Sequence, residues 1–205
     1  MILISKNYSL KNLTTLKTGG SADYFTEIKN KSEIFKAIDF AKKNKLPIFI
    51  LGGGSNILIS DSGFKGLVIR NKISGIKTWF KNGFGFIKSG AGENWDKIVK
   101  ISVEKNWAGL ECLSGIPGTV GASPIQNIGA YGQSLEDIVE EITAIRIADK
   151  KETVFSKNDC EFNYRKSIFK ADELGKYIII YVTFRLLKNG SPKIIYQDLK
   201  NIFLN

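Results

Sequence analysis

Ile48-Phe49-Ile50-Leu51-Gly52-Gly53-Gly54-Ser55-Asn56-Ile57-Leu58-Ile59 is the stretch from which the fold can be read. Four consecutive apolar residues that stop at three glycines read as a short strand buried on both faces, of the kind found in parallel sheets. Ile57 to Ile59 reads as a second apolar strand beyond the turn. Upstream, Ala22 to Ile28 reads as a strand. Ser32 is the expected cap of a helix that places Ile34, Phe35, Ile38 and Ala41 on one face, and Lys45-Leu46-Pro47 closes it. Strand, helix and buried strand make a small α/β unit. Between its last two strands, the amides of Gly52 to Asn56 can form a concave nest for phosphate oxygens, with Ser55 and Asn56 adding side-chain donors. The spacing fits neither the P-loop nor the dinucleotide fingerprint, and a plain tight turn is the alternative.

Downstream, a second unit is expected from Leu67, with strands at Leu67–Ile69, Ile76–Phe80 and Phe84–Lys88. Asn94 can cap a helix whose Trp95, Ile98, Val99, Ser102 and Val103 follow the spacing of one buried stripe, which is read as core. Further strands are expected at Ile138–Ala148, Glu152–Phe155 and Tyr177–Leu187.

Between these strands lies GLECLSGIPGTVGASPIQNIGAYGQ, Gly109 to Gln133, with six glycines, two prolines and one charged residue, Glu111. A flexible linker of this glycine content would lack the interleaved Leu110, Leu113, Ile116, Val120, Ile125 and Ile128, which need burial. A buried chain that bends repeatedly brings its amides close to something, and a flat ligand with polar edges, a nucleotide or a flavin, suits such a surface. An Ω-loop packed on itself is the alternative. Tyr164-Arg165 places a permanently charged, forked donor among apolar residues. It is a candidate for holding a carboxylate or enolate, with an ordinary ion pair as the competing reading.

Composition narrows the chemistry. With 205 residues and 43% hydrophobic content, the chain can bury a substantial core. It contains no histidine, which excludes Ser-His-Asp and Cys-His catalysis and leaves little basis for a metal site. Cys112 and Cys160 are far apart and fit a reducing compartment. No apolar run reaches the roughly 18 residues of a spanning helix, and the start MILISKNYSLKNLTT is too short in apolar residues for a signal peptide, so a cytoplasmic protein without membrane contact is expected. The net charge of +10 comes almost wholly from lysine, since only Arg70, Arg146, Arg165 and Arg185 are arginine. A solvated lysine surface accounts for it better than a nucleic-acid stripe, and no nucleic-acid partner is expected.

GGGSN at Gly52–Asn56, GAGENW at Gly90–Trp95, the glycine run, and CEFNYRKSIFK at Cys160–Lys170 occur in this order. Together they resemble the UDP-N-acetylenolpyruvoylglucosamine reductase family, flavoenzymes of peptidoglycan precursor synthesis, and PIQNIGAYG at Pro124–Gly132 is similar to its type I subgroup. The resemblance extends from about Lys11 onward. It implies an α/β (α+β) fold with two lobes, the FAD-binding fold of the vanillyl-alcohol-oxidase or PCMH type, over about residues 17–188. FAD would lie between a first lobe at 1–66 and a second at 67–190, with 191–205 starting a substrate-binding region.

By the same resemblance Gly52, Gly53, Gly54, Ser55 and Asn56 would hold the pyrophosphate. Ser114, Gly115, Ile116, Pro117, Gly118 and Gly121 would contact the flavin and its ribityl chain. So would Ala122, Ser123, Gln126, Asn127, Gly129, Ala130, Tyr131 and Gly132. Tyr164 would lie with Arg165 at the reaction centre, where Arg165 stabilises charge developing on an enolpyruvyl group, and Tyr196 would bind the diphosphate of a UDP-sugar substrate. NADPH is the implied reductant. The absence of histidine implies noncovalent FAD. Relatives carry a proton-donating serine and a glutamate in a third domain, and this sequence stops at Asn205, so flavin binding with little or no turnover is expected of it. A flavin-binding remnant and another oxidoreductase of the same fold are the rival readings.

Overall fold

The computed structural model describes residues 2–191 and 194–203. The first lobe contains β1 (Ser5–Ser9), β2 (Ser21–Ile28), α1 (Lys31–Lys43), β3 (Ile48–Leu51) and β4 (Phe64–Asn71). Its sheet has the order β1-β2-β4-β3, with β2, β4 and β3 parallel and β1 antiparallel to β2. Helix α1 starts two residues earlier than expected, because the side chain of Asn30 accepts the Glu33 amide at 3.0 Å while the Glu33 carboxylate accepts the Lys29 amide at 2.6 Å. Ser32 therefore falls inside the first turn. Ile34, Ala37, Ile38 and Ala41 form the buried face.

Two sequence expectations are corrected here. Ile57 to Ile59 is not a strand. The segment crosses the end of the sheet as a loop, where the Gly20 amide donates to the Ser60 carbonyl at 2.9 Å, and Ile57 and Ile59 pack beside Leu10, Phe25 and Val68. Burial without a ladder partner explains why three apolar residues looked like a strand. The strand read at Leu67–Ile69 is part of β4, one of the two inner strands of the first sheet, so a lobe boundary between 66 and 67 cuts through it and the first sheet ends at Asn71.

The second lobe follows as β5 (Ile76–Lys81), β6 (Phe84–Gly90), α2 (Trp95–Glu104), β7 (Trp107–Ala108), β8 (Gly129–Ala130), β9 (Gln133–Ser134), β10 (Val139–Arg146), β11 (Glu152–Ser156) and β12 (Tyr177–Lys188). α3 (Gln197–Phe203) comes last, within the expected 191–205 region. The sheet is antiparallel in the order β11-β10-β12-β6-β5, with β7 paired to β12 and β8–β9 forming a separate hairpin. Asn94 caps α2 by accepting the Lys97 amide at 3.3 Å. Trp95, Ile98, Val99 and Ser102 are buried, but Val103 is 54% exposed, so the stripe ends a position before the expected one.

The two lobes share packing. Ile34 and Ile38 of α1 join Leu67 and Ile69 from the first sheet and Ile145, Ile178 and Ile180 from the second in one apolar cluster. Buried Asn71 donates to the Ile179 carbonyl at 2.7 Å, Lys150 pairs with Asp39 at 2.7 Å, and Lys42 reaches the Ala148 carbonyl at 2.5 Å. These ties fix the distance between the lobes, and so the width of any site between them. Cys112 and Cys160 are not joined in a disulfide. Burial, reinforced by the charge of Asp159, pushes the Cys160 thiol up to about 12. No helix among the described residues is long and apolar enough to cross a membrane.

Candidate functional site

A cleft of about 700 Å³ opens where the loop leaving β3 faces the glycine run, with the approach to β12 as its third wall. Its volume falls in the range of small-molecule and cofactor sites. The two loops approach closely at Gly52 and Gly53, where an added Cβ would sit 2.7 Å from Thr119 Oγ1 and 2.9 Å from the Gly118 Cα respectively. Ser55 Oγ donates to the Pro117 carbonyl at 3.1 Å and Asn56 Nδ2 to Gln126 Oε1 at 2.7 Å, so the loops are cross-tied as well as packed. Among the described residues, the amides of Gly53, Gly54, Ser55 and Asn56 donate to no protein acceptor, and neither do those of Ile116, Gly118 and Thr119. Exposed amides from two facing loops form a cradle for an anion and for polar ring edges.

The sequence-expected residues divide into three groups. Gly52, Gly53, Gly54, Ser55 and Asn56 line the cleft, as do Ile116, Pro117, Gly118, Ala122, Ser123 and Gln126. Ser114, Gly115 and Gly121 do not line it, and neither do Asn127, Gly129 to Gly132, Tyr164, Arg165 and Tyr196 of the third group. Gly121 packs on Ala91, where a Cβ would come within 2.5 Å of the Ala91 Cβ, and its amide donates to the Ala91 carbonyl at 2.8 Å. Ser114 Oγ and the Gly115 amide both donate to Asp96 Oδ1, at 2.9 and 2.8 Å. This anchors the start of the run to the first turn of α2.

Those bonds, the Gly115 amide first and then the Ser114 hydroxyl, hold the Asp96 carboxyl below the usual carboxylate range. A lowered folded-state pKa stabilises the fold above the unfolded value, and that contribution is lost as pH falls through the folded one. Acid should therefore release the Ser114–Gly115 anchor. Asp96→Asn is expected to flatten the acid limb of the stability profile below about pH 4, read as urea midpoints across pH, with protection of the Gly115 amide from hydrogen exchange reduced at neutral pH.

The third group clusters around the β8–β9 hairpin. Asn127, 3% exposed, donates to the Asn163 carbonyl at 3.1 Å and accepts the Glu136 amide at 3.0 Å, tying the run to the Tyr164–Arg165 loop. Arg165 has φ +53° and donates through one guanidinium nitrogen to the Gly129 carbonyl at 2.8 Å. Among the described residues it makes no ion pair, so the ordinary salt bridge considered from sequence is not what holds it. Tyr164 is 86% exposed. Tyr131 and Tyr196 meet edge to face at 5.9 Å, and Gly132 lies against Ile195. Gly129 and Ala130 form β8 itself.

Sequence reasoning missed the third wall. Phe169, Lys170, Glu173, Leu174 and Tyr177 line the cleft from the segment entering β12; Phe169 and Lys170 close the CEFNYRKSIFK motif and Tyr177 opens an expected strand, but none of the five was read as a site residue. Trp95, read as core, is both core and cleft wall.

The fold is the two-lobed FAD-binding fold of the vanillyl-alcohol-oxidase or PCMH type. Residues 22–156 match the family described as FAD binding domain, about two thirds of the chain, and the chain belongs to that family. It is 36% identical over 196 residues to the UDP-N-acetylenolpyruvoylglucosamine reductase of Escherichia coli (strain K12), covering 96% of this chain and 57% of that protein. The chain thus spans somewhat over half the length of the curated relatives it matches. Among solved structures it is similar to UDP-N-acetylenolpyruvylglucosamine reductase from Thermus caldophilus, with TM-score 0.73, 26% identity, and coverage of 93% of this chain and 64% of that one. Cholesterol oxidase from Brevibacterium sterolicum shares the fold at TM-score 0.64 and 15% identity, covering 91% of this chain and 38% of that one.

Proposed function

We propose that the protein binds FAD noncovalently in the cleft and serves NADPH-dependent reduction of UDP-N-acetylglucosamine enolpyruvate to UDP-N-acetylmuramate, a step of peptidoglycan synthesis. The observation that carries the reading is the pair of facing loops whose amides, Gly53 to Asn56 on one side and Gly118–Thr119 on the other, have no acceptor of their own among the described residues. Those amides would hold the pyrophosphate, and Ile116, Pro117 and Gln126 would face the flavin. Bound FAD would supply a two-electron carrier that NADPH can reduce. Asn127, Gly129, Ala130, Tyr131 and Gly132 would shape the substrate side, with Tyr164 beside them and Tyr196 toward the diphosphate.

Arg165 would hold the substrate carboxylate and stabilise negative charge as it builds on the carbon bearing it. The Gly129 carbonyl uses one of its N–H groups, and the others remain for the substrate. Two cysteines that form no disulfide fit the cytoplasm, where UDP-sugars and NADPH are available.

The purified chain should be yellow, or become so on adding FAD. A folded protein that stays colourless after reconstitution would overturn the reading. Oxidation of NADPH that depends on the enolpyruvyl substrate tests the reaction itself; flavin binding without it would favour a flavin-binding module. Arg165→Ala should leave FAD bound while weakening binding of the enolpyruvyl substrate by about 10- to 100-fold, read from the change the substrate makes in the absorbance of the bound flavin.

A further inference from the structure

Lys170 ends the 3₁₀ turn Ile168–Lys170 and reaches into the cleft from the wall that sequence reasoning missed. Of the residues lining the cleft, Lys170 and Glu173 are the charged ones, and the Glu173 carboxylate is engaged by Lys176 at 3.2 Å. Lys170 makes no ion pair among the described residues. Its ammonium donates to the Arg165 carbonyl at 3.2 Å. That bond fixes where the charge sits and uses one of three N–H donors, leaving two for a ligand. The other polar side chains of the cleft, among them Ser55, Asn56, Thr119 and Gln126, are neutral, so among the described residues Lys170 is its one full charge without an opposite partner, and that charge is positive.

We propose that Lys170 is the residue by which the cleft selects a phosphorylated flavin over a plain one, its ammonium pairing with the phosphate oxygens of the dinucleotide. The inference rests on the flavin reading above. Backbone amides recognise an anion's oxygens by direction but carry only partial charge; an ammonium adds a charge-assisted bond that riboflavin, which has no phosphate, cannot use. Lys170 is exposed, but its bond to the Arg165 carbonyl holds the side chain before the ligand arrives, so it loses less freedom on binding than an untethered lysine. The same bond braces the Arg165 loop. A brace alone would support every flavin alike, whereas phosphate recognition would act on FAD alone.

The test is a fluorescence titration of the flavin-free chain with FAD and, separately, with riboflavin. Lys170→Met keeps the stem and removes the charge. It should weaken FAD by about tenfold, the discount for an exposed lysine included, and leave riboflavin unchanged. Lys170→Arg should restore most of the FAD affinity. Raising salt should narrow the gap between wild type and Lys170→Met for FAD only. Equal weakening of both flavins would reduce Lys170 to a brace and overturn the proposal, as would no change in either. A wild-type chain that binds neither flavin would defeat the flavin reading itself, a distinct result. Circular dichroism melts of each variant confirm that the comparison is between folded proteins.

Discussion

Gly54→Ala should lower the unfolding free energy by about 4 kcal/mol and abolish flavin binding, one of the largest effects expected of any single methyl group in this chain. Gly54 sits at φ +70°, where an L side chain is strained by about 1–2 kcal/mol. Here the strain is the smaller part. A Cβ would lie 1.9 Å from the Leu13 carbonyl oxygen and 2.9 Å from the Leu13 carbonyl carbon, backbone atoms with no rotamer to give way. The Gly54 carbonyl also accepts the Thr15 amide at 3.0 Å, so the segment that must move is bonded to the loop that displaces it. Gly115→Ala is the control. Gly115 has φ +75°, but its added Cβ would meet nothing within 4 Å, so only the strain of about 1 kcal/mol remains. Urea denaturation of the two variants separates close approach from conformation: similar midpoints would mean that the contact with Leu13 is not a constraint.

That pair also marks where sequence reading stops. GGGSN announced a backbone-lined turn, and the turn lines the cleft, but nothing in the sequence said that Gly54 faces Leu13, some 40 positions upstream, since register between distant segments is set by tertiary packing. The long elements were legible because their patterns are local. The buried face of α1, the stripe of α2 and the continuous apolar run of β12 each follow one period. β1 was not legible, because SKNYS is polar and almost wholly exposed; it is a strand by virtue of pairing with β2 and stacking Tyr8 on Phe25 at 4.0 Å. The site divides similarly. Residues that carry a compositional mark, the glycine loops and Arg165, were visible in sequence. Gly121 carried the same mark for another reason, close packing on Ala91, while Lys170 carried none. Glycine records that a backbone approaches something without recording what.

Trp95→Ala should destabilise the protein by about 3–5 kcal/mol and weaken flavin binding in the fraction that folds. The indole is 1% exposed, meets Phe184 edge to face at 5.7 Å, and donates through Nε1 to the Leu113 carbonyl at 2.9 Å. Its backbone amide donates to the Gly118 carbonyl at 3.2 Å, so one residue joins the second-lobe core to both ends of the loop that forms the cleft. Trp95→Phe separates these roles. It retains most of the buried apolar area but leaves the Leu113 carbonyl without its donor, a loss of about 1–3 kcal/mol. A double-mutant cycle with Phe184→Leu, read by urea denaturation, should return a coupling of about 0.5–1.5 kcal/mol for the ring pair. If Trp95→Phe were as damaging as Trp95→Ala, the hydrogen bond to Leu113 would dominate over packing. If flavin affinity fell in Trp95→Ala but not in Trp95→Phe, the volume of the ring, rather than its N–H, would be what keeps the cleft wall in place.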